Sequence, residues 1–144
     1  KEIIDAYFAQ FRDLKAFTQA CVDRARETGY AETLMGRRRY LPDITSANTN
    51  VRAFAERNAV NAPIQGSAAD IIKVAMLRIQ ELIEREGWAT RMIMQVHDEL
   101  VFDVPKAELD QVIPAIQREM EGAATLEVPL VVEVNTGEDW LEAH

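Results

Sequence analysis

Apolar and polar residues alternate most regularly between residues 92 and 104, where Met92, Met94, Val96, Leu100, Phe102 and Val104 all fall on even positions, the period of a half-buried strand. This pattern predicts two strands joined at a tight turn. The even positions would be buried against a core, and His97, Asp98 and Glu99 would be lifted to an exposed tip. Elsewhere the apolar residues recur at steps of three and four. Ile4, Tyr7, Phe8, Phe11, Leu14, Cys21 and Ala25 mark an opening helical region that Gly29 is placed to end. Residues 30–35 and 37–41 flank Gly36 as a short hairpin stopped by Pro42. The polar segment 45–50 leads into a helical stretch from about Val51. Ser67 and Asp70 have the spacing of a capping box, and Ile71, Ile72, Ala75, Met76, Ile79, Leu82 and Ile83 then share one face until Gly87. Leu109, Val112, Ile113, Ile116 and Met120 mark a further helix that Pro114 should kink or shorten. Residues 129–135 read as a last strand. Helices mixed with hairpins make the expected class α+β, with no internal repeat and no second domain.

Composition narrows the setting. A chain of 144 residues that is 48% hydrophobic is long enough for one core and reads as one soluble globular unit. Its single cysteine, Cys21, excludes an internal disulfide framework and a zinc site built on cysteine pairs, and it fits a reducing, intracellular setting. No apolar run is long enough to span a bilayer and no signal peptide opens the chain, so no membrane partner is expected. The first residue is Lys1, already inside an amphipathic pattern, which reads as a fragment of a larger protein.

The net charge of −8 argues at first against nucleic acid, because binding to phosphates depends on Lys and Arg. The distribution changes that picture. Residues 37–57 hold Arg37, Arg38, Arg39, Arg52 and Arg57 against Asp43 and Glu56, a local +3, whereas residues 81–144 hold four basic and fifteen acidic side chains, a local −11. The chain is polarised into a basic strip and an acidic end.

Three ionisable residues, His97, Asp98 and Glu99, interrupt the strand-like run without the Asn-Gly or Gly-Gly pair that favours tight hairpins. A solvated, charged tip is the plain reading. The sharper one is a divalent-metal site, since hard cations such as Mg²⁺ take carboxylate oxygens on rigid elements and phosphoryl transfer uses them to gather the attacking and leaving oxygens. Adjacent strand residues point to opposite faces. One of Asp98 and Glu99 is therefore expected to be the main ligand, with a further carboxylate supplied from elsewhere.

A second constellation, Arg57, Asn61 and Gln65, lies at steps of four on one helix face, unless Pro63 breaks the helix and shifts Gln65. Donors of these types suit the DNA minor groove, where every base pair presents an acceptor at purine N3 or pyrimidine O2. A polar helix face without function remains the alternative.

Taken together, GRRRYLPDI, AERNAVNAPIQGSAADIIK and MIMQVHDELVFDVP, in that order and spacing, resemble the C-terminal part of the family A DNA polymerases of the bacterial polymerase I type. The resemblance continues through VEVNTGEDW to the end of the chain. It implies part of a polymerase palm, an antiparallel sheet with the metal-site hairpin packed by helices, with the end of the fingers in about residues 1–50 and the palm in about 51–144. It implies that Asp98 is one of two aspartates binding two catalytic Mg²⁺ ions, that Glu99 is the adjacent and less direct acid, and that His97 lies close to the primer end. Arg57, Asn61 and Gln65 match the residues that contact the primer–template minor groove, and Arg52 of the basic strip is included among the DNA-binding positions.

The implied partners are primer–template DNA, deoxynucleoside triphosphates and the remainder of the polymerase chain, in a bacterial cytoplasm at the nucleoid. The second catalytic aspartate and the nucleotide-gripping fingers helix would lie before Lys1, so the chain alone is expected to be inactive. A metal-dependent nuclease should bring its own histidine or carboxylate cluster, and this chain has only His97 and His144. A non-catalytic duplex-binding module is the other alternative, and it would bind DNA without depending on Asp98.

Overall fold

The computed structural model describes residues 2–143, with side chains from Ala6 onward. The Ile4 side chain, Lys1 and His144 lie outside the described residues. The chain divides into two compact units, Lys1–Ser67 and Ala68–His144.

The first unit opens with α1 (Glu2–Gln10) and α2 (Arg12–Thr28), separated at Phe11, which leaves helical geometry at φ −110°, ψ 68°. Gly29 ends α2 in the left-handed region at φ 80°, its N–H bonded to the Ala25 carbonyl. Next, β1 (Tyr30–Glu32) and β2 (Arg38–Tyr40) pair antiparallel, Ala31 opposite Arg39, around a turn in which Gly36 takes φ 81°. Pro42 opens a short 3₁₀ turn, Pro42–Thr45. Asn48 then starts the longest helix, its Oδ1 accepting from the N–H groups of Asn50 and Val51. The core of this unit is mostly alanine: Ala25, Ala31, Ala55 and Ala59 with Leu41 and Ile44. Such small side chains let helices and hairpin approach closely.

That helix, α3 (Thr49–Glu86), runs unbroken through Pro63. The expected start at Ser67 is therefore corrected. Ser67 is buried, its hydroxyl donating to the Pro63 carbonyl and accepting from the Leu34 N–H at 2.9 Å, so the Ser-x-x-Asp pattern does not cap a helix.

In the second unit α3 ends at Gly87 (φ 67°), where the Trp88 N–H returns to the Ile83 carbonyl. Then come β3 (Arg91–Val96), β4 (Glu99–Asp103), a 3₁₀ turn (Lys106–Glu108), α4 (Leu109–Glu121) and, near the end, α5 (Trp140–Ala143). Pro114 lies within α4 without ending it. The core joins Ala75, Ile79 and Ile83 of α3 to Val112 and Ile116 of α4, with Met92, Leu100, Phe102 and Val104 of the hairpin packed against them. Glu108 fastens the foot of the hairpin, its carboxylate accepting from the N–H groups of Ala89 (2.9 Å) and Thr90 (3.1 Å) and from the Thr90 hydroxyl (2.7 Å).

Two further expectations are corrected. Residues 129–135 form no strand, because neither strand of the two-stranded β3–β4 sheet pairs with them. They are held to α4 by side chains: Gln117 Nε2 donates to the Val132 carbonyl at 3.0 Å, and Glu121 accepts from the Val132 N–H. The even positions of the hairpin also do not all share the core face. A two-residue turn places Val96 opposite Glu99 and Met94 opposite Val101, so even residues of β3 near the tip face the same way as odd residues of β4. A bulge at Ile93 inserts one residue and brings Met92 opposite Phe102, which returns the foot of the hairpin to the expected phase. Met94 consequently lies away from the core and is 43% exposed.

Candidate functional site

The hairpin tip belongs to the second unit. His97 and Asp98 form the turn, and Glu99 is the first residue of β4. His97 takes φ 54°, and among the described residues it is the one non-glycine with positive φ. Such a backbone is disfavoured for a residue with a Cβ. It is held here by the Val96–Glu99 pairing and by Gln95, whose side-chain amide donates to the His97 carbonyl at 3.0 Å. Strain of this kind gathers at functional turns. His97, Asp98 and Glu99 are all exposed, as the sequence leads one to expect.

The tip offers hard carboxylate oxygens on a strand pair anchored to a core, the donor chemistry a divalent cation needs. Among the described residues no three His, Cys, Asp or Glu side chains gather closely enough to hold a metal ion. The donors fit such an ion in kind and fall short of a full ligand set in number.

The helical constellation belongs to the first unit. Because α3 continues through Pro63, Arg57, Asn61 and Gln65 keep their four-residue spacing on one face, and all three are exposed. The opposite face carries the buried Ala55 and Ala59. Two apolar residues share the outer face: Phe54, 59% exposed, and Ile64, 55% exposed. The Arg57 guanidinium lies 5.8 Å from the Phe54 ring centroid. Neither apolar residue is assigned a role by the sequence reading, although their three-residue steps from Arg57 and Asn61 are the available signal.

Arg52 is not brought to this face. Five residues before Arg57, it is turned about 140° around the helix axis. Its guanidinium donates to the Ser46 carbonyl at 2.8 Å and lies 3.8 Å from Glu56, which also pairs with Arg26 at 2.6 Å. In the hairpin of this unit Arg38 is likewise engaged, donating to Glu32 at 2.9 Å and lying over the Tyr30 ring. The Glu32 carboxylate holds the Arg38 guanidinium above its ordinary range. Arg52 and Arg38 of the basic strip are thus partly consumed by the fold.

In fold this α+β chain matches a segment of a polymerase domain. It aligns with the polymerase domain of Pol1 from Mycobacterium smegmatis, solved in complex with DNA primer–template and dNTP, at a TM-score of 0.95 and 46% identity, covering 97% of this chain and 25% of that one. The chain belongs to DNA polymerase family A, whose sequence profile matches residues 1–142. It is 49% identical over 143 residues to DNA polymerase I of Streptococcus pneumoniae, covering 99% of this chain and 16% of the relative. It is 50% identical over 139 residues to DNA polymerase I of Mycobacterium tuberculosis, covering 96% and 15% respectively. The similarity to DNA polymerase I of Geobacillus stearothermophilus is 49% over 142 residues. The chain therefore spans about one sixth of the length of these relatives. Family A polymerases use divalent metal ions. No helix among the described residues is long and apolar enough to cross a membrane.

Proposed function

We propose that this chain is the part of a DNA-directed DNA polymerase that supplies one catalytic aspartate and the minor-groove contacts for adding deoxynucleotides to a primer 3′-hydroxyl, in the bacterial cytoplasm where its DNA lies. The observation that carries the reading is the exposed carboxylate tip, His97-Asp98-Glu99, at a two-residue turn in a chain of this family.

Asp98 would hold Mg²⁺ as a main ligand, with Glu99 as the adjacent acid and the remaining ligands contributed from outside residues 1–144. Two such ions, when bound, supply activation of the primer hydroxyl and charge neutralisation at the departing pyrophosphate. The hairpin's part is preorganisation: its core face and Glu108 clamp keep Asp98 from wandering, which matters because catalytic groups act within a fraction of an ångström. His97, held at the head of the turn, lies beside the primer end. Arg57, Asn61 and Gln65 donate to the acceptors common to all base pairs and so check duplex shape without reading sequence. In domain terms, about residues 1–50 are the end of the fingers and about 51–144 belong to the palm.

The test is Asp98→Ala in the full polymerase. Incorporation should fall by about 10³-fold or more while primer–template affinity changes only a few-fold, because a metal ligand acts chiefly in the transition state. Near-parental incorporation would overturn the assignment.

A further inference from the structure

Gly66 sits in the interior of α3, one residue after Gln65. Glycine there costs the helix about 1 kcal/mol relative to alanine, so its presence asks for a reason. The reason is contact: a Cβ at Gly66 would stand 2.6 Å from Cγ2 of Thr33, in the β1–β2 turn. Thr33 has little freedom to withdraw, because its Oγ1 accepts from the Arg37 N–H at 3.1 Å and its own N–H donates to the Arg37 carbonyl at 2.9 Å.

The same turn grips the helix at two more points. Arg37 Nη2 donates to the Gly66 carbonyl at 3.0 Å, and the Leu34 N–H donates to the buried Ser67 hydroxyl at 2.9 Å. Ser67 passes the grip on to the carbonyl of Pro63. Pro63 has no N–H, so the helix lacks its usual bond to the Ala59 carbonyl at this level. Gln65 therefore stands where the ladder of α3 lacks a bond and the β1–β2 turn bonds the helix from outside.

We infer that the β1–β2 turn is a clasp, closing on Gly66 and Ser67, that sets the position of Gln65 for its minor-groove contact, with Gly66 as the positioning residue. This inference rests on the minor-groove reading of Gln65 proposed above and adds to it what holds that side chain in place.

The experiment uses the full polymerase and primer–templates in which the base facing Gln65 either has its minor-groove acceptor or lacks it. Loss of the acceptor should slow the parent by about tenfold, the worth of one good hydrogen bond. Gln65→Ala should be indifferent to the missing acceptor. Gly66→Ala should lose most of the parent's sensitivity, although Gln65 is intact. Gly66→Ala combined with Thr33→Ser, which removes the obstructing methyl and keeps the hydroxyl, should recover it.

Equal sensitivity of the parent and Gln65→Ala to the analogue would overturn the minor-groove reading itself. Full sensitivity in Gly66→Ala, or no recovery in the combined variant, would overturn the clasp while leaving that reading intact. If Gly66→Ala does not fold, Ser67→Ala decides: it adds no volume, removes the acceptor for Leu34, and should reduce the sensitivity several-fold. Unchanged sensitivity in Ser67→Ala would then overturn the clasp.

Discussion

Val96 stands directly opposite Glu99, so only His97 and Asp98 make the turn at the end of the β3–β4 hairpin. The left-handed backbone of His97 follows from that geometry, since two-residue hairpin turns need positive φ and glycine normally provides it. His97→Gly should leave the thermal midpoint of the full polymerase unchanged or slightly raised. His97→Val should destabilise the hairpin by about 1–2 kcal/mol, because a β-branched residue fits that region poorly. If His97→Gly also lowers incorporation with the fold intact, the imidazole itself is used. Hydrogen exchange at the β3 and β4 amides, followed beside primer extension, separates the two effects.

Arg57, Asn61 and Gln65 stand exposed on one unbroken helix face. Replacing any one by alanine should slow extension of matched termini by about tenfold and narrow the gap between matched and mismatched termini, since mismatches displace the shared acceptors. Steady-state extension from paired termini measures both. Equal slowing of matched and mismatched termini would show that the residue does not inspect the groove.

Glu108 gives a pH signature. Its carboxyl is held below the ordinary glutamate range by the Thr90 hydroxyl first and then by the Ala89 and Thr90 amides, all of which favour the ionised form. A depressed folded pKa contributes stability that is present above the ordinary glutamate value and is lost as pH falls through the lowered one. In the full polymerase the amides of Ala89 and Thr90 should exchange more slowly in the parent than in Glu108→Gln at neutral pH. The difference should close in acid, as the pH falls below the ordinary glutamate range and through the lowered value. A gap that persists undiminished would mean that charge is not what Glu108 contributes.

The residues of this chain bring no cluster of three metal-ligating side chains together among those described. Mg²⁺ parts reluctantly with its water. The 144-residue chain alone should therefore bind Mg²⁺ only at about millimolar concentrations or weaker, and should not extend a primer. Titration calorimetry and an extension assay check the two claims; micromolar binding would mean that the chain holds a fuller ligand set than Asp98 and Glu99.

Where the candidate residues sit was largely legible in the sequence because their placement depends on local spacing. Four-residue spacing aligned Arg57 with Asn61, and with Gln65 once the structure carries the helix through Pro63, and the interruption of an apolar alternation by three ionisable residues located the tip. Gly29, Gly36 and Gly87 marked their turns because positive φ is a local demand that glycine meets.

What the sequence could not decide was anything that depended on a partner distant in the chain. Pro63 and Ser67 looked like a helix boundary, and they are helix interior because the β1–β2 turn supplies bonds and contacts there. Residues 129–135 had the alternation of a strand but not the neighbouring strand that makes one. Arg52 had the charge of a DNA contact, and only the fold adds that its guanidinium also bonds the Ser46 carbonyl and lies near Glu56. The even positions of the hairpin predicted one buried face, whereas a two-residue turn reverses the parity of one arm and a bulge at Ile93 restores it. Alternation specifies the period of a strand; its register is set only when two strands pair, and that is a tertiary event.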